Sequence, residues 1–200
     1  MSAPFSREEV LFTQRLLKAQ GLYTGRLDGS WGPKTDAAST EEHRLADNLA
    51  FRLGTFHRRS EENIRTLHLR AQEAARMFLA AFRGAAFEVR IISGNRTYAQ
   101  QNAIYAQGRT KPGKIVTNAK GGQSNHNFAI AWDVGIFVNG KYLPESPFYK
   151  AAAPVALAAT TGVEWGGNWT KPDRPHYQLA TGMDVAEVRA LFEAGRAYVP

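Results

Sequence analysis

The sequence contains no cysteine among its 200 residues, and this absence narrows the chemistry open to it. Disulfide bonds, a thiol nucleophile and a cysteine-ligated zinc site are excluded, so any metal ion must be bound by histidine and carboxylate. Long apolar runs are also missing, since the longest, residues 151–159, is too short to span a bilayer and contains a proline. The polar start MSAPFSREEV has no apolar core, so the sequence predicts neither a secretory signal nor a membrane span.

Acidic residues are fewer than basic ones, 18 against 25, which gives a formal net charge of +7. This charge is compatible with an anionic partner, either nucleic acid or a bacterial envelope, although such a charge more often reflects solubility. The basic residues are scattered, apart from a cluster at 57–59, and no nucleic-acid-binding motif is present. We therefore expect no nucleic-acid partner.

Hydrophobic patterns along the chain predict helices and strands without a regular βαβ repeat. Helices are predicted over 7–20, in "SEENIRTLHLRAQEAARMFLAAF" from Ser60 onward, and in "GNRTYAQQNAIYAQG", where the helix ends at Gly108. Two more are predicted in "SPFYKAAAPVALAATTG", where Pro154 breaks or begins the helix, and in "MDVAEVRALFEAGRAYV". Strands are predicted in "FEVRIIS" and "HYQL", and "AIAWDVGIFVNGKYL" is typical of two strands joined by an NG turn. The expected fold class is α+β, with a small antiparallel sheet flanked by helices and preceded by a small helical module.

Histidine and aspartate recur at two places with a spacing typical of a metal site. In "SNHNFAIAWDVGIF", His126 precedes Asp133 by seven residues, beside a predicted strand. In "WGGNWTKPDRPHYQL", Asp173 precedes His176 by three residues, and the flanking prolines make this segment stiff and extended. Two imidazoles and one carboxylate match the three ligands of a catalytic zinc ion. An isolated histidine is nevertheless more often a surface or core residue.

The sequence around these residues resembles the zinc peptidases that cut bacterial cell-wall peptides. The family pattern is Ser-x-His, six residues, Asp, and later Glu or Asp-x-x-His, and it is matched over about residues 85–180. The family includes D-Ala-D-Ala carboxypeptidases and dipeptidases, and L-alanyl-D-glutamate endopeptidases. The Asp-x-x-His version and the block "RTYAQQNAIYAQGRT" most resemble the last group. Ala129 departs from the pattern, because the family commonly has glycine there, and we expect activity to survive the extra methyl group.

The resemblance implies a role for each of seven residues. They are the ligands of one zinc ion, His126, Asp133 and His176, the general base Asp173, and the substrate-binding residues Arg96, Gln101 and Ser124. A guanidinium such as that of Arg96 suits bidentate capture of a substrate carboxylate. Alternatively, Asp173 only orients His176 through a hydrogen bond, and Arg96 is an exposed turn residue.

The N-terminal stretch "GLYTGRLDGSWGPKTDAAS" resembles a peptidoglycan-binding module of three short helices. Its pattern, G-x-Y-x-G-x-x-D-G-x-x-G-x-x-T-x-x-A, is matched at every position. The third helix diverges, because Glu42 and His43 stand where the family has a Phe-Gln pair. We therefore predict a module over 1–50 and a metallopeptidase domain over 60–200, with a helical cap on the main domain as the alternative to a module.

The expected function is that of a phage endolysin, a monomer that cleaves peptidoglycan between L-alanine and D-glutamate. It would remain in the host cytoplasm until lysis and then act on the cell wall. The alternative on the same scaffold is a D-Ala-D-Ala carboxypeptidase or dipeptidase, which usually carries glutamate in place of Asp173. A binder without catalysis is disfavoured, because neither a ligand nor the base is lost.

Overall fold

The computed structural model describes residues 5–200, so the first four residues of the predicted module lie outside it. The α-helices are α1 (Arg7–Ala19), α2 (Pro33–Leu53), α3 (Arg58–Ile64), α4 (Leu69–Ala80), α5 (Tyr98–Ala106), α6 (Phe148–Ala159) and α7 (Val185–Glu193). The strands are β1 (Glu88–Ser93), β2 (Ala131–Val138), β3 (Lys141–Tyr142), β4 (Val163–Trp165) and β5 (His176–Leu179). Short 3₁₀ helices cover Asn125–Phe128 and Gly166–Asn168. The α+β prediction is confirmed.

The described chain forms two compact units. One contains residues 5–45, Arg96–Phe128 and Thr181–Pro200 and is helical, whereas the other contains Ala46–Asn95 and Ala129–Ala180 and carries the sheet. The boundaries predicted for a module over 1–50 and a catalytic domain over 60–200 remain a prediction.

The sheet is antiparallel throughout, with the order β1-β2-β5-β4, and β3 pairs with β2. Strand β2 is its centre and is almost entirely buried, which explains its near-continuous apolar sequence. The predicted turn between β2 and β3 is confirmed, since Asn139 and Gly140 both have positive φ, 49° and 76°, as a tight hairpin turn requires.

Two helix predictions differ from the structure. The helix expected from Ser60 onward is two helices, because α3 ends at Ile64 and α4 begins at Leu69. His68 caps α4: its ring Nδ1 accepts the Arg70 backbone N–H at 3.2 Å. The α6 helix neither breaks nor begins at Pro154 but continues through it. None of the helices formed by residues 5–200 is long and apolar enough to cross a membrane.

The N-terminal helices are organised around a buried glutamine. Gln14 is fully buried, and its side-chain oxygen accepts the backbone N–H groups of Asp28 and Gly29 at 3.1 and 2.9 Å. Its side-chain nitrogen donates to the Asp28 carboxylate at 2.9 Å, so one side chain fixes the turn between α1 and α2. Glu42 and His43, where the sequence leaves the module pattern, lie inside α2 and not at a helix boundary.

Candidate metal and catalytic site

Pairing of β2 with β5 places two of the predicted ligands opposite each other. Asp133 and His176 are register partners, and side chains of directly opposed residues project from the same face of a sheet. The Nδ1 atom of His176 lies 3.3 Å from Oδ1 of Asp133. Sheet formation therefore brings together two side chains that are 43 residues apart in sequence.

The third predicted ligand comes from the short 3₁₀ helix before β2. His126 is 2% exposed, and each of His126, Asp133 and His176 offers one ligand atom, with these atoms all within 4.8 Å of one another. Two imidazole nitrogens and a carboxylate oxygen are the donors that a catalytic zinc ion takes. The three residues can therefore hold a metal ion.

The surroundings of His176 favour positive charge. Burial opposes its protonation, but the hydrogen bond to Asp133 and the charge of Asp133 outweigh burial, so the pKa of His176 lies above its ordinary value. The Asp133 carboxylate would attract a metal cation for the same electrostatic reason.

Gln178 and Glu164 extend the site beyond the residues that the sequence predicts. The Nε2 atom of His176 lies 3.0 Å from Oε1 of Gln178, whose own amide donates to Glu164 at 3.0 Å. Such contacts orient a ligating imidazole. Gln178 could have been found from the sequence, because residues two apart on a strand share a face. Glu164 could not, because it lies on β4, which has only three residues.

Asp173 lies in the loop before β5 and is exposed to solvent. Its backbone N–H donates to the Gly166 carbonyl at 2.9 Å, and its carbonyl accepts the His176 N–H at 3.3 Å. A Cβ at Gly166 would lie 2.7 Å from the Asp173 carbonyl oxygen, so this close approach requires glycine. The Trp169 ring packs 4.9 Å from the His176 ring. These contacts hold the loop that carries the predicted base.

The backbone of Arg96 is hydrogen-bonded to the segment that carries the predicted ligand His126. Its N–H donates to the His126 carbonyl at 3.1 Å, and its carbonyl accepts the Asn127 side-chain amide at 2.8 Å. Asn127 is fully buried and also accepts the Gly122 N–H at 2.9 Å. Asn127 was not identified in the sequence, although it lies directly after His126.

The two other predicted substrate residues have different surroundings. Ser124 is half-buried, and its carbonyl accepts the Asn127 N–H at 2.8 Å. Gln101 is 0% exposed, and its amide contacts Arg96, Thr117 and Ala119. The substrate roles of both residues remain predictions.

Comparison with known proteins identifies the family of this chain. Residues 117–179 match the family model described as D-alanyl-D-alanine carboxypeptidase. The chain is 34% identical over 127 residues to the peptidoglycan L-alanyl-D-glutamate endopeptidase CwlK of Bacillus subtilis (strain 168), a match that covers 56% of this chain and 73% of that protein. A crystal structure of the Serratia marcescens L-Ala D-Glu endopeptidase ChiX aligns with a TM-score of 0.48 and 29% identity over 62% of this chain and 88% of that one. The match to CwlK shows that this chain is an enzyme that belongs to the D-alanyl-D-alanine carboxypeptidase family of metallopeptidases.

Proposed function

We propose that this enzyme hydrolyses the bond between L-alanine and D-glutamate in the stem peptide of peptidoglycan. The observation that carries this choice of bond is the 34% identity to an L-alanyl-D-glutamate endopeptidase over 73% of that protein's length. The aspartate at position 173 supports the same choice, because the carboxypeptidases that the sequence resembles usually have glutamate there.

We propose that one zinc ion is held by His126, Asp133 and His176. The donor set fits zinc, because it consists of imidazole nitrogens and a carboxylate within 4.8 Å of one another, two of them on hydrogen-bonded strands. Three protein ligands also leave a coordination position open, as catalytic sites require. When bound, the ion would lower the pKa of a water molecule and polarise the scissile carbonyl.

The chain's own carboxylate performs the proton transfer in this proposal. Asp173 is exposed and precedes His176 by three residues on a loop fixed by Gly166. Its carboxylate would accept a proton from the attacking water and return it to the leaving amine nitrogen. Arg96 would bind a carboxylate of the substrate through two parallel hydrogen bonds, and Ser124 would line the same pocket.

A second candidate is removal of a terminal D-alanine by the same site. One observation favours it: the family model that matches residues 117–179 is described as D-alanyl-D-alanine carboxypeptidase. Both reactions hydrolyse a peptide bond with the same residues, so only the products distinguish them.

The test is mass spectrometry of fragments released from purified peptidoglycan by zinc-loaded protein. We expect a new N-terminal D-glutamate, lost when a chelator is added and restored by zinc, and absent with the Asp133→Asn variant. Loss of only terminal D-alanine would support the second candidate. A folded, zinc-loaded protein that releases neither product would contradict both proposals.

We also propose that the enzyme is a monomeric phage lysis protein that reaches the wall from the host cytoplasm. The net charge of +7 and the module-like N-terminal helices support a wall-directed role. Expression inside bacteria should leave the culture turbid until the inner membrane is permeabilised, and then lysis should follow. Rapid lysis of cells with an intact inner membrane would contradict this proposal.

A further inference from the structure

We propose that Gln101 is a positioning residue that orients the Arg96 guanidinium and does not contact the substrate itself. This inference rests on the proposed function, in which Arg96 binds a substrate carboxylate. It changes the role expected for Gln101 from the sequence.

The side chain of Gln101 has no surface to offer a substrate. It is 0% exposed, and its oxygen accepts a hydrogen bond from Nη1 of Arg96 at 3.2 Å. Its nitrogen donates to the Ala119 carbonyl at 2.9 Å and lies 3.4 Å from the Thr117 hydroxyl. The amide thus links Arg96 to the segment 117–119.

The direction of the Gln101 amide is determined by its neighbours. A guanidinium offers only donors and a carbonyl oxygen only accepts, so the amide oxygen must face Arg96 and the nitrogen must face Ala119. The reversed amide would place its N–H donors against the donors of Arg96 and its oxygen against the Ala119 carbonyl oxygen. The amide is therefore held in one orientation, and the acceptor that it presents to Arg96 is fixed.

The helix that carries Gln101 is itself well fixed. Thr97 caps α5, where it accepts the Gln100 N–H at 3.2 Å, and the Gln101 N–H donates to the Thr97 carbonyl at 2.9 Å in the first turn. The Arg96 backbone is held by His126 and Asn127. Backbone contacts locate the Cα of Arg96, but its long side chain needs a separate contact to select one rotamer, and Gln101 supplies one.

Pre-orientation of Arg96 matters because a bidentate contact requires the guanidinium plane to match the carboxylate. Without the acceptor on Gln101, the Arg96 side chain would lose one of the contacts that order it before substrate binds, which weakens binding without changing the reacting groups. Loss of Gln101 should therefore raise KM much more than it lowers kcat.

The test is a double-mutant cycle with Gln101→Met and Arg96→Lys in the zinc-loaded full chain, measured on a soluble stem peptide. Methionine has a similar size but neither an amide donor nor a comparable acceptor. We expect Gln101→Met to raise KM about 10-fold while kcat stays within about 3-fold. In the Arg96→Lys background, Gln101→Met should raise KM by less than about 2-fold more, because both substitutions remove the same function.

Asn102→Ala is the matched control. Asn102 is the next residue of α5, and its side chain accepts the Gly121 N–H at 2.8 Å, so it anchors the same loop without a hydrogen bond to Arg96. We expect its KM to stay within about 2-fold of wild type. An equal rise in KM for Asn102→Ala, or effects of Gln101→Met and Arg96→Lys that simply multiply, would overturn the inference.

A second measurement does not depend on activity. Side-chain ¹⁵N NMR of arginine, with the Arg96 signal assigned by its loss in Arg96→Lys, reports the order of the guanidinium. We expect a clear loss of order in Gln101→Met and none in Asn102→Ala. Unchanged order would overturn the positioning role even if the wild-type protein cleaved no peptidoglycan, whereas cleavage failure alone would contradict only the proposed function.

Discussion

Asp173 and His176 are three residues apart, yet their surroundings differ in a way that suits two roles. His176 is 6% exposed and is hydrogen-bonded on both ring nitrogens, whereas Asp173 is exposed. Burial of His176 excludes water molecules that would compete with its imidazole for a metal ion. A base, in contrast, needs access to the water and to the leaving group.

The first prediction concerns Asp173→Asn. Asparagine has the same shape but cannot accept a proton, so kcat should fall at least about 100-fold while zinc binding is retained. Turnover and metal content would be measured on the same sample, with the exposed Asp47→Asn variant as control. If Asp173 only orients His176, zinc affinity would fall instead and kcat at saturating zinc would remain near that of wild type.

Ala129 shows why the relatives that the sequence resembles commonly have glycine at this position. Its φ is 58°, in the left-handed region, which costs a residue with a Cβ about 1–2 kcal/mol. Its carbonyl nevertheless accepts the His68 N–H at 2.8 Å, and its side chain is fully buried. The local strain is therefore compensated by packing and hydrogen bonding, and the expectation that activity survives remains a prediction.

At the scale of elements, the break between α3 and α4 depends on His68. This residue is 6% exposed, its Nδ1 caps α4, and its own N–H is bonded to Ala129. Burial, together with the charge of Arg70, lowers the pKa of His68 to about 4. The imidazole is therefore neutral in the folded protein and can act as an acceptor only in that state.

The second prediction is a loss of stability in acid caused by His68. The folded-state pKa lies below the unfolded value of about 6.5, so the unfolded chain binds more protons as pH falls between 6.5 and 4. We expect the free energy of unfolding to drop by about 3 kcal/mol more in the wild type than in His68→Asn over this window. Asparagine retains a capping acceptor.

This prediction is checked by urea unfolding of the chelated protein at several pH values. His57→Asn is the matched control, because His57 caps α3 through the same ring atom at 3.2 Å but is exposed to solvent. In acid, the free energy of unfolding of the control should fall as much as that of the wild type. The prediction would be contradicted if the free energy of unfolding depended on pH equally in the wild type and in His68→Asn.

At the scale of the whole molecule, the candidate metal site exists only in the folded chain. Its proposed ligands come from a 3₁₀ helix and two strands, and the pairing of β2 with β5 brings Asp133 and His176 together. An ion that binds only the folded state adds stability in proportion to the logarithm of its concentration.

The third prediction is that zinc at about 100 times its Kd raises the free energy of unfolding by about 2.7 kcal/mol. For a chain of this size the melting temperature should rise by roughly 5–10 °C. Calorimetry with zinc and with chelator would measure the shift. The Asp133→Asn variant should show a much smaller shift and Asp47→Asn the full one. An unchanged melting temperature in the wild type would contradict zinc binding.

The fold class, strands β1 and β5, the turn at Asn139 and the order of the candidate ligands could all be predicted from the sequence. These features are local: alternation defines a strand, an Asn-Gly pair allows positive φ, and the spacing of His126 and Asp133 is visible in one segment. The family resemblance also rested on such local patterns.

Three features could be read only from the folded chain: the break between α3 and α4, the burial of Gln101 and the contact between Gln178 and Glu164. Each depends on a partner distant in sequence, such as the Ala129 carbonyl for His68, the segment 117–119 for Gln101, and the short strand β4 for Gln178. Such contacts leave no periodicity in the chain. The contacts of His68 and Gln101 exist because buried polar groups must find hydrogen-bond partners once the core has formed.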